Sequence, residues 1–159
     1  MQWPSYFGRV PTRSILMYLA RSAAVENNVF HRIPMASVLL ETPDGYYALQ
    51  NTVGSLTIRN NVFYECADTL IRSAPQVTTL SPAAGLYGRL MVEDNLLLMR
   101  EAKPLFLDVR GFRNIKVCRN QIESPTAPAK LARFTDCEFV ELLVQRLVGI
   151  PGEPEAAYV

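Results

Sequence analysis

Apolar and polar residues alternate with a period of two along several stretches of the chain, a pattern that favours β-strands over helices. The apolar positions expected to point inward are Leu56, Ile58, Leu90, Val92, Ile115 and Val117. The residues between them, Thr57, Met91 and Lys116, are expected to point outward. Such alternation predicts sheets with one face on a core. We therefore expect an all-β protein.

A short phrase occurs four times, in which two polar residues precede a returning apolar pair or, in the fourth case, Gln121-Ile122. It occupies residues 25–30, 58–63, 92–97 and 117–122, and its aligned asparagines are Asn28, Asn61, Asn95 and Asn120. The spacings of 33, 34 and 25 residues lie in the range of stacked structural repeats. With three short strands per repeat, they predict a parallel β-helix, a solenoid of about five coils. The fifth coil is predicted around 142–144, with Leu147 in the asparagine's place.

The repeated asparagines have a structural explanation. At an inward bend, a side-chain amide can bond to backbone groups and to the amides of neighbouring coils. This satisfies polar atoms that burial would otherwise leave unpaired. We expect Asn28, Asn61, Asn95 and Asn120 to form an asparagine ladder rather than a ligand site.

Length and charge narrow the class of protein. The chain has 159 residues, of which 49% are apolar, and this is enough material for one folded domain. We assign residues 1–148 to a single β-helix domain, with residues 1–11 available as an N-terminal cap, and residues 149–159 to a flexible C-terminal tail. The net charge is +1, and no basic cluster alternates with exposed aromatics. Neither nucleic acid nor a membrane is expected as a partner.

The cysteines and the histidine restrict the chemistry further. Cys66, Cys118 and Cys137 show no Cys-x-x-Cys spacing and are expected to be free thiols, with Cys118 in an outward register. The single His31, expected in a turn, leaves few routes to zinc. We predict no metal and no cofactor. Because the N-terminus lacks the pattern of a secretory signal, the sequence as written predicts a cytoplasmic protein.

Two longer segments interrupt the coils, at residues 42–52 and 74–85. Loops carried by a rigid scaffold are a common location of function. The first segment begins with a Pro-Asp-Gly turn signal and continues with two tyrosines. It is therefore the first place to look for a site.

From about Thr12 to Glu123, the phrasing resembles the right-handed β-helix carbohydrate enzymes of the pectate-lyase type. The matching phrases are Thr12–Met17, Val25–Phe30, Ser37–Leu40 and Leu56–Phe63 with Cys66. The resemblance is closest to the C-terminal coils of the bacterial α-1,3-galactosidases that cleave the blood-group B determinant. It implies a right-handed β-helix and a galactoside or another glycan as partner. Members of this family are often exported from the cell.

The chemical part of the resemblance is incomplete. In those enzymes the main catalytic aspartates lie in coils upstream of the position of Thr12, and the first interrupting segment carries an acid. This chain has Tyr46, Tyr47, Leu49 and Gln50 there. The resemblance therefore implies a truncated carbohydrate-active module that is catalytically incomplete alone and binds glycans. No catalytic residue is assigned.

A sugar site in this chain is predicted at Glu41, Asp44, Tyr46, Tyr47 and Gln50. The tyrosines would stack on a sugar face, and the carboxylates would bond its hydroxyls. The alternative is that Asp44 makes the turn and the tyrosines cover the coil.

The other acidic residues are expected to lie in surface ion pairs. Glu26 and Glu93, with Arg59 between them, predict a charge ladder across three coils, and Asp108 is expected to pair with Arg110.

Two other functions stay open. One is a structural or assembly protein that forms homo-oligomers through open coil ends, where Trp3, Tyr6 and Phe7 would form a cap or mediate docking. The other is an active glycoside hydrolase or a polysaccharide lyase, the latter with calcium.

Overall fold

The computed structural model describes residues 15–17, 21–34, 36–41, 53–66, 69–74, 87–99, 106–124, 131–143 and 146–148. Within these ranges the protein consists of short strands joined by bends, without a helix. The strands are β1 (Ile15–Met17), β2 (Ser22–Glu26), β3 (Val29–His31), β4 (Val38–Glu41), β5 (Ser55–Arg59), β6 (Val62–Tyr64), β7 (Ile71–Ala74), β8 (Tyr87–Glu93), β9 (Leu96–Leu98), β10 (Leu107–Arg110), β11 (Phe112–Cys118), β12 (Gln121–Glu123), β13 (Ala132–Thr135), β14 (Phe139–Leu142) and β15 (Arg146–Val148).

Successive strands pass in turn through three five-stranded sheets. The first sheet contains β1, β4, β7, β10 and β13, the second β2, β5, β8, β11 and β14, and the third β3, β6, β9, β12 and β15. All pairings are parallel. The predicted all-β fold with parallel strands is confirmed, and the topology is compatible with a β-helix.

The core lies where the three sheets face one another, because one cluster of buried residues draws side chains from all of them. The six apolar residues predicted to point inward are each at most 3% exposed. In the third sheet, Phe30 and Phe63 stack with their ring centroids 4.8 Å apart and their planes 6° from parallel. Equivalent inward positions on neighbouring strands therefore pack in rows along the stack.

A single left-handed residue makes each of the first four bends between the second and third sheets. These residues are Asn27, Asn60, Asp94 and Arg119, with φ between 54° and 59°. Asn and Asp adopt this conformation more readily than other non-glycine residues. Each of these residues directly precedes a repeated asparagine. The first polar residue of the repeated phrase therefore makes the bend, and the second, the asparagine, points inward.

Two local predictions are wrong. The register pairs Leu147 with Ile122, so Leu147 aligns with an apolar position of the repeat and not with Asn120. The residue aligned with Asn120 is 145, which lies outside the described residues. His31 is the last residue of β3 rather than part of a turn, and its ring lies 5.0 Å from that of Tyr64.

Candidate functional site

The predicted sugar-binding residues lie almost entirely outside the described part of the chain. Glu41 ends β4, where its backbone aligns with Ala74. Asp44, Tyr46, Tyr47 and Gln50 fall in residues 42–52, which are not described. The cap at 1–11 and the tail at 149–159 are also outside the described ranges. These expectations therefore stay predictions.

Chain topology nevertheless relates the two interrupting segments to each other. Residues 42–52 follow β4 of the first sheet and precede β5 of the second, whereas residues 75–86 follow β7 and precede β8. Later in the chain the same connection is short, with only Gly111 between β10 and β11. Both segments therefore leave the described scaffold at the corner where strands of the second sheet begin.

The repeated asparagines are linked in chain order by hydrogen bonds between their amides. Each Nδ2 donates to the Oδ1 of the next asparagine, over 3.2 Å from Asn28 to Asn61, 3.0 Å from Asn61 to Asn95 and 2.9 Å from Asn95 to Asn120. The backbone N–H of each donor asparagine bonds to the same oxygen at 3.0 Å. Because Asn61, Asn95 and Asn120 are at most 1% exposed, their amides are not available to a ligand.

An open groove of about 660 Å³ lies on the outer face of the second sheet. It is lined by outward residues of three neighbouring strands, together with two inward apolar residues and one residue of a bend: Arg89, Met91, Asn114, Ile115, Lys116, Glu138, Phe139, Val140 and Glu141. The parallel register aligns Arg89 with Asn114 and then Phe139. A second row runs from Met91 through Lys116 to Glu141. The groove is thus built by residues far apart in sequence and adjacent in the sheet.

One aromatic ring and two ion pairs dominate this groove. Phe139 is 67% exposed, which is unusual for a side chain of that size. Lys116 Nζ lies 3.3 Å from Glu141 Oε2, and Arg113 Nε lies 3.6 Å from Glu138 Oε2 at the rim. Solvent-exposed pairs of this kind contribute little stability, so their donors and acceptors can be exchanged for those of a ligand at small cost.

The sequence alone did not identify this groove. Phe139 does not belong to a recognisable sequence motif, and neither of the two interrupting segments is close to it in the sequence. Aligning Phe139 with Asn114 and Arg89 in register would have found it, because that alignment places a large aromatic residue on an outer face.

A second charged cluster surrounds Cys118 at the end of β11. Arg119 Nη2 donates to Glu93 Oε2 at 2.7 Å and to Asp94 Oδ2 at 2.8 Å. The hydrogen bond from Arg119 holds the pKa of Asp94 below its usual range. Cys118 has the predicted outward register beside Glu93, but it is 1% exposed. The expectation of an exposed thiol is therefore wrong, and burial raises the pKa of Cys118.

The predicted charge ladder has its expected register, because Glu26, Arg59 and Glu93 are aligned on neighbouring strands. Arg59 Nε lies 2.7 Å from Glu26, while Glu93 bonds to Arg119, so the charge ladder continues through a different arginine. Asp108 accepts a bond from Arg133 Nε at 2.9 Å.

The expected pairing of Asp108 with Arg110 is not what the structure shows, because Arg110 bonds to Asp136 at 2.7 Å. Residues two apart on a strand share a face, but the closest partners come from the next coil.

Metal and membrane sites find no support in the described ranges. No group of three or more His, Cys, Asp or Glu residues there is placed to hold a metal ion. No helix in that part of the chain has the length and hydropathy to cross a bilayer. The three cysteines are free thiols, as predicted.

Comparison with known proteins relates the chain to carbohydrate-active proteins. It is 27% identical over 120 residues to an alpha-1,3-galactosidase A of Bacteroides thetaiotaomicron, a match that covers 76% of this chain and 21% of that protein. A protein of the same name from Bacteroides fragilis is 28% identical over 127 residues, with 74% and 21% covered. One from Peterkaempfera griseoplana is 32% identical over 89 residues, with 56% and 12% covered.

These relatives are much longer than the matching region, since the chain spans about a fifth of the length of the two Bacteroides proteins. No protein-family model matches the chain, and no solved structure matches it. At this identity and coverage, the relatives support a carbohydrate-active relationship.

Proposed function

We propose that this chain is a glycan-binding module of a carbohydrate-active protein, and that it binds sugar in the groove on the outer face of the second sheet. The observation that carries the proposal is the exposed ring of Phe139, flanked on the next strand by Asn114 and Lys116. The relationship to alpha-1,3-galactosidases supports a galactoside as the first ligand to test.

The scaffold in this proposal is a right-handed parallel β-helix of the pectate-lyase type, equivalent to C-terminal coils of the longer relatives. The rotation of successive strands through three parallel sheets supports it. The hydrogen bonds that link the repeated asparagines support their role as a structural ladder.

Sugar recognition needs an apolar platform and directional polar groups. An aromatic ring offers its face to the C–H groups of a sugar, while neighbouring side chains bond to the hydroxyls. Phe139 supplies the ring, the amide of Asn114 both donates and accepts, and Glu141 accepts. Lys116 and Arg89 add donors, so the groove contains both kinds of hydrogen-bonding partner.

The residues predicted from the sequence extend this site in the proposal. Glu41, Asp44, Tyr46, Tyr47 and Gln50 belong to a segment that leaves the scaffold at the corner where the second sheet begins. Arg89, Asn114 and Phe139 lie at or near the start of their strands in that sheet. We propose that the first interrupting segment supplies a second set of sugar contacts.

The module is proposed to be catalytically incomplete alone. Glycoside hydrolysis needs two carboxyl groups roughly 5 to 9.5 Å apart, one of them with a raised pKa. The two carboxylates in the groove, Glu138 and Glu141, each form an ion pair, with Arg113 and Lys116 respectively. A complete site would draw further acids from outside the described residues.

A glycan array followed by calorimetric titration of the full chain tests the binding proposal. We expect binding to an α-1,3-galactoside or a related glycan, and we expect Phe139→Ala to weaken it about fivefold, since stacking contributes on the order of 1 kcal/mol. Val29→Ala is the matched control, because Val29 is 54% exposed on the third sheet, away from the groove. Equal binding by the Phe139→Ala and wild-type chains would refute the groove.

Two further variants separate the alternatives. Loss of binding with Tyr47→Ala alone would move the site to the interrupting segment. Hydrolysis of a galactoside by the purified chain, abolished by Asp44→Ala, would contradict catalytic incompleteness and favour the active-enzyme alternative.

Assembly through an open end of the three sheets is a second candidate function. It is favoured by the incomplete burial of apolar residues in the last strands, β13 and β14. Phe134, Val140 and Leu142 are only partly buried against the core, and Leu143 is 41% exposed. Among the described strands, β13, β14 and β15 each have a neighbour on one side only. Such edges are templates for association. Light scattering across a concentration series tests this candidate, and a mass that stays at that of one chain would exclude it.

A further inference from the structure

One cation of the groove differs from its neighbours because it is not paired with a carboxylate. The strands of the second sheet carry four arginine and lysine residues. Three of them form ion pairs with a neighbouring repeat, at N–O distances of 2.7 to 3.6 Å: Arg59 with Glu26, Arg113 with Glu138, and Lys116 with Glu141. The fourth, Arg89 of β8, is exposed and forms no ion pair with a carboxylate of the described residues.

The residues aligned with Arg89 are neutral. The parallel register places Ser55 on one side of it and Asn114 on the other, and the row continues to Phe139. The two carboxylates that line the groove already pair with other cations. The charge of the Arg89 guanidinium is therefore not compensated within the groove, which carries a surplus of one positive charge once its ion pairs are counted.

An arginine in this state is suited to an oxyanion of a ligand. Its planar guanidinium can direct two parallel N–H groups at two oxygens of the same anion. Because Arg89 has no carboxylate partner in the described residues, it gives up no ion pair there when it binds one. Strands lie about 4.8 Å apart and β8 is two strands from β14, so Arg89 and Phe139 are separated by roughly 10 Å along the sheet. One oligosaccharide can therefore contact both residues.

We propose that Arg89 makes the groove selective for a galactoside that carries a sulfate ester, with the ester at Arg89 and a sugar ring on Phe139. This inference rests on the proposed function, which supplies the galactoside. A carboxylate is another anion found on sugars, but in galactose it would replace the hydroxymethyl group. A sulfate ester adds the charge at an existing hydroxyl and leaves the galactoside otherwise unchanged. Asn114, which lies between the two residues in the row, bonds to hydroxyls of the same ligand.

Calorimetric titration of the full chain with α-1,3-linked galactobiose and with its singly sulfated forms tests the selectivity. We expect a sulfated form to bind about fivefold more tightly than the neutral disaccharide, since a charge-assisted hydrogen bond is added. The ratio should fall towards one in about 1 M NaCl, where the Debye length is about 3 Å. Arg89→Gln should also bring the ratio to about one. Arg146→Gln is the matched control and should preserve the ratio, because Arg146 is an exposed arginine of the third sheet without an ion pair to the described residues.

The possible failures of this inference differ from those of the proposed function. Equal binding of the neutral and sulfated disaccharides by the wild-type chain would overturn the selectivity and leave galactoside binding in place. A preference that survives Arg89→Gln and disappears in Lys116→Gln would assign the anion to another cation and refute the role of Arg89. Tighter binding of a galacturonate disaccharide than of every sulfated form would show that the anion is a carboxylate. If none of these ligands binds, the proposed function and this inference are both refuted.

Discussion

The side-chain amide of a repeated asparagine uses its full hydrogen-bonding capacity within the protein. The Oδ1 of Asn61 accepts from the backbone N–H and the Nδ2 of Asn28. Its Nδ2 donates to the carbonyl of Val25 and to the Oδ1 of Asn95. At 1% exposure, none of these groups could turn to water if the amide were removed. The asparagine therefore joins three consecutive repeats, and its cost of burial is offset by four hydrogen bonds.

Asn61→Ala should lower the free energy of unfolding by about 2 to 4 kcal/mol, because it leaves several buried partners unsatisfied. Urea denaturation followed by circular dichroism measures the change. Asn114→Ala is the control, since Asn114 is an exposed asparagine on the outer face. A loss for Asn61→Ala within about 0.5 kcal/mol of the control would show that the amide bonds contribute no net stability.

The three thiols should differ in reactivity because they differ in solvent exposure. Cys66 and Cys118 are 0% and 1% exposed, whereas Cys137 is partly exposed. Burial raises the pKa of both Cys118 and Cys137, so little thiolate forms at either near neutral pH.

We expect iodoacetamide at pH 8 to modify Cys137 first and slowly, and to modify Cys66 and Cys118 only in urea. Mass spectrometry of peptides measures the order. Cys137→Ser should abolish the early modification without changing the far-UV spectrum. Fast labelling of Cys118 in the folded protein would contradict its burial beneath Arg119.

At the scale of single strands, Gly54 and Gly88 show how closely consecutive coils approach. The amide of Arg89 donates to the carbonyl of Gly54 at 2.9 Å. A Cβ on Gly54 would lie 2.6 Å from the carbonyl oxygen of Arg21, and a Cβ on Gly88 would overlap the carbonyl oxygen of Gly54. Since the obstacle is backbone, it cannot rotate away, and the strands would have to separate.

Gly88→Ala should therefore destabilise the protein by about 1 to 3 kcal/mol, the usual cost of forcing atoms into a filled space. Thermal unfolding measures it. Arg113→Ala is the matched control, because Arg113 holds the equivalent position one strand further along and already carries a Cβ. If Gly88→Ala and Arg113→Ala had the same small effect, the close approach would not be a constraint on the fold.

The strands β5, β8 and β11 could be predicted from the sequence, because apolar residues alternate with polar or exposed residues along each of them and the apolar ones point inward. Contacts between coils were harder to predict. Repeats of unequal length conceal which residues become neighbours, so the partners of Asp108 and Arg110 were misassigned, and Leu147 was aligned with a position two residues away from its true partner Ile122. Cys118 was expected to be exposed because its register is outward. Its burial depends on Glu93 and Arg119, which the sequence does not identify as its cover.

At the scale of the whole molecule, the two ends of the stack differ. The inward residues Val25 and Phe30 of the first coil are at most 4% exposed. At the other end, the inward residues Val140 and Leu142 of β14 are only partly buried. Each described strand pairs only with its immediate neighbours in its sheet, so local stability depends on how well the strands at each end are covered. The first coil should therefore be more stable than the last one.

Native-state hydrogen exchange should show a graded order of opening along the stack. We expect amides of β14 to exchange first, those of β2 and β3 later, and those of β5 and β8 last, because the central strands have neighbours on both sides and cannot open without disrupting two interfaces. Mass spectrometry of peptides from 22–31, 55–64 and 139–148 measures this order, at a pH low enough that exchange reports equilibrium opening. Equal exchange at both ends would mean that burial of Phe30 adds no local stability, and exchange of all peptides together would mean that the chain opens as a single cooperative unit.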